Sequence, residues 1–103
     1  MKGRVLDGAA LVLADGDSVA TALEDLDAGR EVRDGDRAVT LADDVPFGHK
    51  FALEPLSAGE TVRKYGEVIG RTTEAVAAGE WVHTHNCEST RGRGDVAAAE
   101  VDR

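Results

Sequence analysis

Cysteine occurs once in this 103-residue chain, at Cys87. One thiol excludes an internal disulfide and any zinc site built from several cysteines. Lysine is nearly as scarce: Lys2, Lys50 and Lys64 are the whole set, and the remaining basic residues are arginine. Against 20 acidic residues this leaves a formal net charge of -8 at pH 7. Such a chain repels phosphate, so no nucleic acid is expected as a partner. Long apolar runs are also missing. Nothing approaches the ~20 residues that span a bilayer, and the N-terminus lacks the apolar centre of a signal peptide. No membrane contact is expected, and the default location is cytoplasmic.

Two readings suit the acidic, lysine-poor, alanine- and glycine-rich composition. One is a halophilic source, whose surface carboxylates hold water in concentrated salt; the other is an ordinary acidic bacterial protein. The length allows one domain with a modest core. A chain this short rarely closes a deep cleft by itself, so a partner subunit is expected.

What is there reads mainly as β structure. Arg4 to Ala14 has the character of a strand interrupted at Asp7-Gly8, and Ala14-Asp15-Gly16-Asp17 is a turn. The spacing of Val19, Ala22, Leu23 and Leu26 predicts one short N-terminal helix near Ser18 to Leu26, capped by Asp17 or Ser18 and ended by Gly29. Beyond it the period changes. Asp34-Gly35-Asp36 marks a hairpin turn between short apolar segments, and Val45-Pro46-Phe47-Gly48 is a turn feeding His49 to Leu53. Val62 to Tyr65, Val68-Ile69 and Trp81 to His83 read as further strands. Residues 1–87 form the expected domain, and 88–103 a polar, mobile tail or a weak helix around Val96 to Val101.

One pattern recurs: an apolar residue, any residue, Ala, Gly, two of any kind, Val. It appears at Leu26 to Val32, Leu56 to Val62 and Val76 to Val82. The physical sense is a buried aliphatic anchor, a glycine taking a left-handed backbone, and a strand that starts at valine. The unequal spacing of the three copies argues against a solenoid.

Chemistry concentrates in His83-Thr84-His85-Asn86-Cys87, with two of the three histidines and the one cysteine. On an extended segment His83 and His85 project to the same side. They then form either a metal-ligand pair or an acid beside a substrate binder, the bland alternative being two exposed histidines at a strand end. Asn86 adds an amide able to bond hydroxyls or carboxylate. His49 and Lys50 follow a turn, where a cation suits a substrate carboxylate. Tyr65 reads as a core aromatic and Lys64 as its solvated neighbour. Trp81 is expected in the core or against a partner. Cys87 is read first as a small buried hydrophobe and second as a soft ligand.

Pro46 to Leu53, Gly59-Glu60, Lys64-Tyr65-Gly66, Ile69-Gly70 and Gly79 to Asn86 together resemble the SAF domain of altronate and galactarate dehydratases. The same domain is the small subunit of split dehydratases and of sulfolactate sulfo-lyase. The resemblance implies a β-clip fold of short, folded-over hairpins. It also implies a hydro-lyase acting on an aldonate or aldarate, assisted by a divalent metal (Fe2+, Mn2+ or Mg2+). A large dehydratase subunit would complete a hetero-oligomer, in which this chain is the small subunit and is inactive alone. On that reading His83 and His85 are catalytic or bind metal, and His49, Lys50 and Asn86 bind substrate. Two alternatives stay open: a sulfolactate sulfo-lyase subunit, and a non-catalytic module that caps a partner and holds carbohydrate.

Overall fold

The computed structural model describes residues 3–89. Ten short strands are present: β1 Arg4–Leu6, β2 Ala10–Val12, β3 Val19–Ala22, β4 Glu31–Asp34, β5 Arg37–Thr40, β6 Lys50–Ala52, β7 Thr61–Lys64, β8 Glu67–Thr72, β9 Trp81–Val82 and β10 Cys87–Ser89. They make a five-stranded sheet ordered β1-β2-β3-β6-β9, a three-stranded sheet ordered β10-β8-β7, and the β4-β5 ribbon. Every pairing is antiparallel.

The expected helix at Ser18 to Leu26 is absent; no described residue is helical, so none of them lies in a helix able to cross a membrane. The segment is strand β3, paired with β2 on one side and β6 on the other. β-branched Val19 and Thr21 favour that state. Val19, Ala20 and Ala22 are all buried, so both faces of the strand are covered, while Leu23 turns outward at 39% exposure. Asp17, expected as a helix cap, accepts instead from the backbone N–H groups of Ala14, Tyr65 and Gly66. Its carboxylate thereby fastens the β7-β8 hairpin tip to the Ala14–Asp17 loop.

The repeated glycine corners are paired. Leu26 and Val45 exchange two backbone hydrogen bonds of 2.9 and 2.8 Å, and Leu56 and Val76 exchange two of 2.8 Å. Val45-Pro46-Phe47-Gly48 is therefore a fourth corner, with Gly48 at φ 83° beside Gly29, Gly59 and Gly79 at 91°, 81° and 89°. It keeps the aliphatic anchor and the glycine, but Phe47 stands where the other corners have alanine and Lys50-Phe51 where they reach valine, which hides it in the sequence. Counted with it, Gly29 to Gly59 is a step of 30 and Gly48 to Gly79 a step of 31. The unit is one inner strand, a corner, a hairpin and a second corner, and it occurs twice.

Leu26, Val32, Val39, Leu41, Val45 and Phe51 form one buried cluster, and Val19, Leu56, Val62, Val76 and Val82 a second. The N-terminal hairpin is tied to β4 by Arg4, whose Nε and Nη2 donate to Asp34 at 3.1 and 2.9 Å. Glu88 and Ser89 pair with β8 in β10. The rest of the expected tail, including Val96 to Val101, lies outside the described residues.

Candidate functional site

The register of β6 and β9 sets the site. Lys50 faces Val82 and Phe51 faces Trp81, so the next pair outward is His49 with His83. Their ring centroids lie 5.0 Å apart. Trp81 sits in the middle of the group. Its indole stacks on His83 at 5.1 Å and 7° between planes, and lies 5.4 Å from His85. Its Nε1–H donates to His49 Nδ1 at 3.3 Å. Three imidazoles from two distant segments thus gather around one ring that packs against the core.

β9 ends at Val82, and His83 to Asn86 form a turn rather than the expected extended segment. Asn86 makes that turn. Its Oδ1 accepts from His83 N–H at 3.0 Å, and its Nδ2 donates to the Trp81 carbonyl at 2.9 Å. The side chain is 2% exposed, so both ends of the amide are committed to backbone. His83 is half-buried, and Thr84 and His85 are exposed at the tip.

Beside the turn lies an open cavity of about 330 Å³, lined by Lys50, Lys64, Tyr65, Ile69, His83 and Cys87 among others. Lys50 is half-buried, and burial lowers its pKa, with the Lys64 charge adding to the effect and Cys87 opposing it. Burial also lowers the pKa of His83, helped by His49, Lys50 and His85. The imidazole of His83 is therefore favoured in its neutral form. Burial pushes the Cys87 thiol up, against the pull of Lys50. Partly buried against the second cluster, Cys87 behaves as the small hydrophobe expected of it.

Tyr65 departs from the core position expected of it. It is 54% exposed, at φ 62° in the β7-β8 turn, where Asp17 bonds its backbone N–H at 3.1 Å. Lys64 accompanies it to the cavity wall, with Nζ 5.1 Å from the tyrosine ring centroid. Sequence reasoning passed over both because alternation alone puts them at a strand end. The available signal was scarcity, since two of the chain's three lysines line one cavity.

No group of three or more His, Cys, Asp or Glu side chains among the described residues is arranged to hold a metal ion. The imidazoles offer nitrogen ligands but do not complete a coordination shell.

The family model for the altronate/galactarate dehydratase SAF domain matches residues 8–90. The chain belongs to this family. This SAF domain is 50% identical over 70 residues to altronate dehydratase of Escherichia coli, covering 68% of the chain and 14% of that enzyme. It is 48% identical over 56 residues to the (2R)-sulfolactate sulfo-lyase subunit alpha of Paracoccus pantotrophus, covering 54% of the chain and 84% of that subunit. Galactarate dehydratase (L-threo-forming) of Escherichia coli is 39% identical over 70 residues, or 66% of the chain and 13% of the enzyme. The SAF domain thus spans a small fraction of the two dehydratases and most of the sulfo-lyase subunit.

Proposed function

We propose that this SAF domain supplies one wall of the active site of a hydro-lyase that removes water from a sugar acid, with a larger subunit supplying the rest. The observation that carries the reading is that Lys50 and His83 line the same cavity. A substrate carboxylate drawn to the Lys50 ammonium would bring its adjacent C–H toward His83. A neutral imidazole is suited to accept that proton. His85, exposed at the turn tip, would protonate the departing hydroxyl. The C–H and C–O bonds break, water leaves, and the enol product becomes a 2-keto acid. His49, whose Nδ1 is taken by Trp81, would offer its Nε2 edge to the substrate, and Asn86 would act by holding the turn that orients His83.

A divalent metal (Fe2+, Mn2+ or Mg2+) would be held chiefly by the larger subunit; His83 and His85 are the ligands this chain can offer, as an alternative to the proton-transfer roles given above. When bound, it supplies Lewis-acid stabilisation of the charge that builds on the carboxylate.

The test is reconstitution. The SAF domain alone should show no lyase activity, and adding a large dehydratase subunit with metal should produce it on aldonates or aldarates. His83→Ala in the complex should lower kcat by about 10²–10⁴. Wild-type turnover in both His83→Ala and His85→Ala would remove the catalytic assignment.

The second reading is the small subunit of a sulfolactate sulfo-lyase, which eliminates sulfite in place of water. What favours it is coverage, since the match takes in 84% of the sulfo-lyase subunit. Sulfolactate in the same substrate panel separates the two readings.

A further inference from the structure

We infer that Lys64, with Lys50, forms an anion-binding site on the floor and side of the cavity, and that Tyr65 is its rim. The ligand class is an organic hydroxy-acid anion held by two ammonium groups. This inference deepens the proposed function by assigning the β7-β8 hairpin to substrate recognition, and it rests on that reading only for the identity of the acid.

The argument begins with charge. The chain carries 20 acidic residues and only three lysines, yet Lys50 and Lys64 line one cavity and no described residue lining it is acidic. Two like charges in a shared, half-enclosed space repel, and Lys64 contributes to lowering the pKa of Lys50. Among the described residues no carboxylate lines the cavity to relieve that repulsion. An anion that enters does so, and it gains two charge-assisted bonds in a site partly shielded from water.

The hairpin that delivers Lys64 is built to hold its position. A register shift between Val62 and Arg63 alters the pairing of β7 with β8, as a bulge does where a side chain must be re-aimed. The tip is fixed at two further points. Asp17, 8% exposed, takes the N–H groups of Tyr65 and Gly66 at 3.1 and 2.9 Å. Ser18 Oγ accepts from Arg63 N–H at 2.8 Å. In the first copy of the repeat the corresponding hairpin carries Asp34, which is already paired with Arg4 and Arg37. The second copy has Lys64 at that position, on the wall of the cavity.

The test uses the intact chain and two probes, tartrate for carboxylates and isethionate for a sulfonate, followed by lysine side-chain and backbone NMR. One or both should bind at Lys50 and Lys64, more weakly as salt rises. The stronger of the two tells whether the acid group is a carboxylate or a sulfonate. Lys64→Met should weaken binding at least about tenfold, the scale of a lost charged hydrogen bond, and Lys64→Glu more. Arg63→Met, an exposed neighbour outside the cavity, should leave it within about twofold, since exposed charges at a distance are screened. Equal binding by wild type and Lys64→Met, or shifts confined to other surfaces, would overturn the inference. Probe binding through both lysines in a chain whose reconstituted complex shows no lyase activity would leave this site standing and remove the enzymatic reading.

Discussion

The indole N–H of Trp81 donates to Nδ1 of His49 at 3.3 Å, across the end of the β6-β9 pair. An indole nitrogen can only donate, so Nδ1 is the acceptor and the neutral imidazole carries its proton on Nε2. The hydrogen bond thereby fixes which edge of His49 carries the N–H, in a ring whose centroid lies 5.0 Å from that of His83.

Trp81→Phe tests that relationship. Phenylalanine keeps a flat face for His83 but removes the donor, and a neutral hydrogen bond contributes about 0.5–1.5 kcal/mol. The expected result is a mixed tautomer at His49 in nitrogen-15 spectra. The reconstituted complex should lose about three- to tenfold in kcat, with the fold intact. A single unchanged Nε2–H tautomer would show that Trp81 does not orient His49.

Asn86→Ala should destabilise the chain by about 1–3 kcal/mol, because the buried His83 N–H and Trp81 carbonyl lose their side-chain partners. Urea unfolding measures this. Asn86→Asp keeps the acceptor for His83 but sets a carboxylate against the Trp81 carbonyl, so its stability should also be low. A Asn86→Ala variant of wild-type stability would mean that the turn stands without its amide.

Two corner glycines should differ in cost. Gly59 sits at φ 81° with open space where a side chain would begin, whereas at Gly79 a Cβ would collide with the Thr40 backbone. Gly59→Ala should lose about 1–2 kcal/mol from the left-handed backbone alone. Gly79→Ala should lose about 3 kcal/mol or more, since clash adds to conformation. Equal melting temperatures for the two variants would contradict the close corner packing at Gly79.

Acid should weaken the join between β1 and the β4-β5 ribbon. Hydrogen bonds from Arg4 and then Arg37 hold the Asp34 carboxyl down at about 2, from an ordinary 3.8. The group is more acidic in the folded state, so its stabilisation is complete above pH 4 and disappears as pH falls from about 4 to about 2. The arginines are partly exposed, so the contribution is roughly 1 kcal/mol after solvent screening. Thermal melts of wild type and Asp34→Asn should differ at pH 6 and converge near pH 2. A gap that stays constant with pH would exclude this linkage.

Much of the β architecture was legible in local sequence. Asp34-Gly35-Asp36 marks a hairpin because few residues accept left-handed turns, whereas Asp7-Gly8, read as an interruption within one strand, is the turn between the antiparallel β1 and β2. The helix expectation failed because Val19, Ala22, Leu23 and Leu26 match a helical period by coincidence. The matter was settled by β2 and β6, which lie on both sides of the segment and supply the hydrogen bonds and cover that a lone helix would lack. The fourth corner was hidden for the opposite reason: Val45 to Gly48 shares the backbone path and the glycine of the others but not their alanine or the valine that follows.

By itself, the sequence determined the chain's acidity, its strand and turn chemistry, its SAF resemblance and the two clusters His49-Lys50 and His83 to Asn86. These depend on residue type and near neighbours. Tertiary structure alone decided that the clusters meet around Trp81 and that Asn86 is spent inside the turn. It also placed Lys64 and Tyr65 on the cavity wall. Such relationships depend on antiparallel register between strands some 30 residues apart, and a one-residue slip would send each of these side chains to the opposite face.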